Sequence, residues 1–162
     1  MKLRIALLAF LFSLYACAAS AAGLFLEAGP GVMTSQDSTY TAIRYQKDTS
    51  KLFNTDSFYE LCYASWNGSN ENNALSVARG LRWPVSSNTY TSADIGVGHI
   101  KRTTHNLGTP FQFYLRFAYD IRVGPVDISL GFVHYSNGKL IFGWSGPNNG
   151  EDFPTVSLGM TF

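Results

Sequence analysis

Between Phe111 and Arg122 the chain alternates without a break. Phe111, Phe113, Leu115, Phe117, Tyr119 and Ile121 take one parity, and Gln112, Tyr114, Arg116, Ala118, Asp120 and Arg122 take the other. Successive side chains of a β-strand point to opposite faces, so this strand has one wholly apolar face and one that carries charge. Two settings suit it. In a soluble sandwich the apolar face is the core; in a small membrane barrel it meets lipid while the charged face lines the lumen. The segment alone does not choose, but composition helps. Aromatic residues make up 15% of the chain and charged residues only 14%, against about 25% charged in ordinary soluble domains. Beyond the N-terminal leader, no run is apolar for the roughly 20 residues that a membrane helix needs. Abundant apolar residues without a long apolar run are the signature of transmembrane β-strands.

The C-terminus points the same way. Val156, Leu158, Met160 and Phe162 alternate with Ser157, Gly159 and Thr161, and the chain stops on the aromatic. A last strand of this kind resembles the assembly signal of bacterial outer-membrane barrels, and its small inward residues suit a narrow lumen. Six more strands are expected near Leu24–Val32, Tyr40–Gln46, Phe58–Trp66, Leu75–Val85, Thr91–Lys101 and Val126–Ser136. The total is eight, and single-chain bacterial barrels have even strand counts. The expected fold is therefore all-β, an eight-stranded antiparallel transmembrane β-barrel. Glu27, Arg44, Glu60, Asp94, Arg116 and Asp120 fall on the less apolar parity of their strands, where charges of both signs can pair inside the barrel. Arg79 breaks the pattern, which a bulge or an interfacial position would explain. The connection from Lys47 to Ser57 is long for a periplasmic turn.

Residues Met1 to Ala22 read as a secretory signal peptide. Lys2 and Arg4 form a basic start, Ile5 to Ala16 is an apolar run, and Ala19-Ser20-Ala21 is a small-residue cleavage site. The run is short for a membrane anchor, and Tyr15 is a poor fit to the lipoprotein-like sequence ending at Cys17. The barrel would then occupy residues 23–162 as one domain, in the outer membrane of a Gram-negative cell. Loss of Lys2 and Arg4 from the 12 basic residues leaves them one short of the 11 acids, and nothing in that balance suggests a nucleic-acid partner. With Cys17 removed, Cys62 is a lone cysteine that can form neither an internal disulfide nor a metal pattern.

Barrels of this class keep both termini in the periplasm, so the strand Val126–Ser136 runs outward. It is entered by a tight Gly124-Pro125 turn and left by a long Gly/Asn-rich loop. On it His134 and Ser136 share the lipid-facing parity of Ile128, Leu130 and Phe132. Residues i and i+2 lie about 6.6 Å apart along a strand, which lets an imidazole reach a hydroxyl, and a serine needs such a base to attack an ester. A His-x-Ser pair is common by itself and equally describes a polar rim. A third residue sharpens it. On the adjoining last strand Asp152 has the parity of Val156 and Leu158, which directs it outward beside His134, as an orienting carboxylate requires. Glu151 has the opposite parity and would face His134 only across a bulge. His99 and His105 read as ordinary surface residues.

The run His134-Tyr135-Ser136-Asn137-Gly138, followed by Pro147-Asn148-Asn149-Gly150-Glu151-Asp152, resembles the signature of PagL-type lipid A 3-O-deacylases: His-x-Ser-Asn, a loop, Pro-Asn-x-Gly-x-acid and a terminal strand. The resemblance implies an eight-stranded outer-membrane barrel that needs no cofactor or metal and takes lipid A, within lipopolysaccharide, as substrate. It would release the acyl chain esterified at position 3. Carried onto this sequence, Ser136 is the nucleophile, His134 the general base and then acid, and Asp152 the orienting carboxylate with Glu151 as alternative. Asn137 and Gly138 would supply the oxyanion hole. Two departures stand out. The loop between the motif halves is longer and includes Leu140, Phe142 and Trp144, and the acid is Asp where the family often has Glu. A homodimer is compatible with this reading. Its rivals are a non-catalytic barrel for adhesion or envelope integrity, an esterase for another acyl lipid, and a soluble periplasmic barrel.

Overall fold

The computed structural model describes residues 21–139, 143 and 146–162. Most of the expected leader, and Leu140, Phe142 and Trp144, lie outside the described residues. Eight strands close into one antiparallel barrel in sequence order: β1 (Ala22–Pro30), β2 (Thr39–Leu52), β3 (Thr55–Trp66), β4 (Asn72–Pro84), β5 (Thr89–Ile100), β6 (Phe111–Val123), β7 (Val126–Ser136) and β8 (Glu151–Thr161). β8 returns to pair with β1, Leu26 facing Leu158 and Gly23 facing Thr161. The wall therefore has no unpaired edge, which lipid would not tolerate. Ala22, the last residue of the expected leader, is already part of the wall, facing Lys47.

Alternation decides what each face does. Leu26, Ile43, Leu61, Val77, Ile95, Phe117, Leu130 and Leu158 are exposed on the outer face, as membrane-facing side chains must be. Their sequence neighbours turn into a packed lumen. Arg44 lies between Glu27 and Glu60, with its Nε 2.9 Å from Glu27 Oε2 and its Nη1 2.7 Å from Glu60 Oε2. Arg116 Nε reaches the other Glu27 oxygen at 3.0 Å, and Thr155 also donates to that oxygen at 2.7 Å. Dense pairing of this kind offsets the desolvation that isolated buried charges would suffer. Nearer the loop end, Tyr40, Trp66, Tyr114, Tyr135 and Phe153 fill the bore. Tyr40 and Phe153 stack at 4.7 Å, and Trp66 lies 5.3 Å from Tyr135. Cys62 is buried there as a small packed residue. The bore is thus filled from its charged middle to the loop end.

The Lys47–Ser57 connection is not long. β2 and β3 continue past the apolar belt and meet in a two-residue turn, Phe53-Asn54, with φ of 51° and 63°, the left-handed pair of a type I′ hairpin. The strand ends are polar because they have left the membrane, so the alternation that marks the rest is missing. Arg79 sits in unbroken register with Tyr59 and Ile95, which excludes a bulge. Its guanidinium lies 4.3 Å over the Tyr59 ring and donates to Ser57 Oγ at 2.8 Å, snorkelling toward the turn end of the barrel.

Candidate functional site

β7 carries His134 and Ser136 to the outer wall near the loop end, because Val133 and Tyr135 between and beside them turn inward and are fully buried. On β6, Leu115 faces His134 and Phe113 faces Ser136. On β8, Asp152 stands directly opposite His134. Direct cross-strand partners bring their side chains within reach of one another, and here His134 Nδ1 lies 2.8 Å from Asp152 Oδ1. The imidazole is 30% exposed and the carboxylate 10%. A carboxylate can only accept, so the ring proton belongs on Nδ1, leaving the Nε2 lone pair free. Ser136 is half-buried one alternate position further along β7. Among the described residues no hydrogen bond joins its hydroxyl to His134.

The two neighbouring acids part company. While Asp152 faces His134, Glu151 turns to the interior and is fully buried. It accepts from Asn106 Nδ2 at 3.1 Å and from the Ser35 hydroxyl. No bulge interrupts the β7–β8 register to bring it round.

The segments beyond β7 hold one another in place. Asn137 is fully buried. Its Nδ2 donates to the Pro147 carbonyl at 2.9 Å, its Oδ1 accepts from Lys139 N at 3.1 Å, and its own N–H donates to Asn148 Oδ1 at 2.8 Å. Asn137 thereby shapes the turn after Ser136. Gly138 follows with φ of 70°, and among the described residues its N–H has no acceptor. Leu107 and Asn148 form a β-bridge between loops 101–110 and 137–150, with Gly108 N donating to Pro147 O at 2.9 Å. Leu107 is buried in the aromatic cluster, so the first of these loops caps the bore. His99 and His105 are exposed and take no part.

Gly150 and the turn after β1, to which the sequence alone assigned no role, press on the pair. Gly150, at φ of 81°, packs its Cα against the imidazole; a Cβ there would lie 2.8 Å from His134 Cε1. The 3-10 turn Met33–Ser35 leans on the same corner. Thr34 Oγ1 donates to Gly150 O at 2.8 Å, and Val32 N donates to Asp152 O at 2.9 Å. Gly150 stands within the Pro-Asn-x-Gly motif. The turn carries no sequence signal, because its contacts with Gly150, Glu151 and Asp152 span more than a hundred residues of chain.

This geometry has relatives. The profile of the family described as "Lipid A 3-O-deacylase (PagL)" matches residues 39–161. No curated protein sequence matches the chain significantly. Among solved structures, the crystal structure of the outer membrane enzyme PagL superposes with a TM-score of 0.67 at 18% identity, covering 85% of this chain and 98% of that one. A de novo designed transmembrane β-barrel gives 0.62 at 13% identity, over 88% and 95% of the two chains. The Yersinia pestis outer membrane protein Ail gives 0.54 at 11%, over 90% and 100%. At these identities the superpositions speak for the closed barrel, which enzymatic and designed proteins share, and the family profile, spanning most of the wall and the whole His134–Asp152 region, separates them: the chain belongs to the PagL family of lipid A 3-O-deacylases.

Proposed function

We propose that this protein hydrolyses the ester at position 3 of lipid A from the outer leaflet of the outer membrane, with Ser136, His134 and Asp152 as a catalytic triad. The observation that carries this reading is the 2.8 Å His134–Asp152 pair on the lipid-facing wall, which sets an oriented base beside Ser136 on the face that meets lipid. Nε2 of His134 takes the proton as Ser136 Oγ adds to the ester carbonyl. The oxyanion of the tetrahedral intermediate is received by the Gly138 amide, with Asn137 holding the turn that presents it; a donor of this kind contributes about 3–4 kcal/mol to the transition state. Collapse breaks the bond to the sugar oxygen, which leaves with the proton from Nε2. Water, deprotonated by the same nitrogen, then releases the hydroxy fatty acid and restores Ser136. Asp152 keeps the ring in the required tautomer and stabilises the imidazolium.

The substrate would reach the site laterally, its acyl chains against the wall formed by Phe113, Leu115, Phe132 and Pro154. The leader would be removed on export, with cleavage after Ala21 leaving Ala22 in the wall. Every residue of the site comes from one chain, so catalysis does not call for a second copy. The test is the purified barrel in detergent micelles, given lipid A or a glycerophospholipid. Release of a 3-hydroxy fatty acid from lipid A alone supports the reading. Equal or preferential cleavage of the glycerophospholipid transfers the triad to another acyl ester, and no cleavage of either favours the non-catalytic barrel.

A further inference from the structure

We propose that Ser35, held by buried Glu151 and Asn106, is a positioning residue for the triad acid, so that loop 31–38 sets the activity of a site on the opposite end of the sequence. The inference rests on the triad reading above and adds a residue with no place in the family motif. Its basis is the way Asp152 is held. On one side the β7 ladder places Asp152 opposite His134. On the other, β1 has already ended at Pro30, and the chain that replaces it is the loop with the 3-10 turn. That loop takes both backbone groups of Asp152: Val32 N donates to its carbonyl at 2.9 Å, and its N–H donates to Ser35 Oγ at 3.0 Å.

A hydroxyl has one proton, and here the choice of where to send it is made by Glu151. Ser35 Oγ donates to Glu151 Oε2, which turns its lone pairs toward the Asp152 N–H. Glu151 is itself fixed, because Asn106 Nδ2 donates to its other oxygen at 3.1 Å and to the Thr34 carbonyl at 3.0 Å. Ser35, Asn106 and Glu151 are all nearly or fully buried, so water does not compete for these bonds. The result is a chain of contacts from Asn106 through Glu151 and Ser35 to the backbone of Asp152, and from its carboxylate to His134. The polar residue next to the acid, which could pass for a spare catalytic carboxylate, instead orients the hydroxyl that orients the acid.

The test uses the full barrel in detergent and compares wild type with Ser35→Ala and Ser35→Thr. The first readout is the rate at which a fluorophosphonate probe labels Ser136, which reports activation of the nucleophile whatever the natural ester is. A 1 Å misplacement at a catalytic site can cost ~10²-fold, and a loosened Asp152 should approach part of that. Ser35→Ala should slow labelling about 10-fold, and Ser35→Thr, which keeps an Oγ, should recover most of it. The second readout is the low-field NMR signal of the His134 Nδ1 proton, which should move upfield in Ser35→Ala alone, while kcat on lipid A falls with KM unchanged. Wild-type labelling rate and an unmoved proton signal in a folded Ser35→Ala barrel overturn the inference. If the barrel labels at Ser136 with these variant effects but leaves lipid A intact, the positioning role stands and the substrate reading fails. If wild type does not label at all, the triad fails and the inference with it.

Discussion

Replacing Gly150 with alanine puts the site geometry to a quantitative test. The new Cβ would meet His134 Cε1 at 2.8 Å and Nδ1 at 3.5 Å, where ordinary carbon contacts begin near 3.5–4.0 Å. Either the imidazole retreats by roughly 0.7 Å or more, or the start of β8 does, and both movements stretch the 2.8 Å bond to Asp152. Displacement on that scale should lower kcat about 10- to 100-fold. A left-handed φ of 81° adds a backbone cost of about 1–2 kcal/mol for any L-residue with a Cβ. Gly124→Ala separates the two effects. Gly124 has a similar φ of 62°, with no atom within 4 Å of its Cβ position, and it sits in the turn at the far end of the barrel. Both variants should therefore lose a similar small amount of stability, read from urea unfolding followed by heat-dependent gel migration. Only Gly150→Ala should lose activity on lipid A in micelles. Equal kcat in the two variants, with β8 intact, would refute the placement of the imidazole against Gly150.

Other consequences can be checked in the same system. Asp152→Asn keeps the shape but lets the side chain donate, which favours the wrong tautomer of His134; kcat should fall roughly 10⁴-fold, whereas Glu151→Gln, which keeps an acceptor for Ser35, should cost less than about 10-fold. Glu27→Gln leaves the buried Arg44 and Arg116 guanidiniums short of a shared carboxylate and should destabilise the barrel by about 3–5 kcal/mol in urea titrations, with kcat of the folded fraction unchanged. Because His134 and Ser136 face the membrane, deacylation in intact outer membranes should rise when a chelator or detergent loosens lipid packing; identical rates before and after would contradict lateral entry.

Much of this was legible in the chain because a barrel is a period-two object. The parity that placed Glu27, Arg44, Glu60, Asp94, Arg116 and Asp120 inside needed no long-range information, and the structure buries all six. The same rule sent Asp152 outward and Glu151 inward, which the β7–β8 register converts into one definite partner for His134. What the pattern could not carry was anything outside the apolar belt. β2 and β3 extend to Leu52 and from Thr55 through polar residues that give no alternation signal, so their hairpin resembled a long loop. Asn137 matched an oxyanion donor by motif, yet its amide is engaged with Pro147, a fact set by how the loop folds back. Ser35 and Asn106 left no trace, since their value lies in contacts with Glu151 that only barrel closure creates.

Whether Ser136 cleaves the 3-O-acyl ester of lipid A can be read by mass spectrometry of lipid A from cells making the wild-type chain or Ser136→Ala. Catalysis by Ser136 should remove one hydroxyacyl mass in the wild type and leave lipid A unmodified in the variant, with both barrels folded in the outer membrane. Unmodified lipid A in both, or the same loss in both, would contradict it.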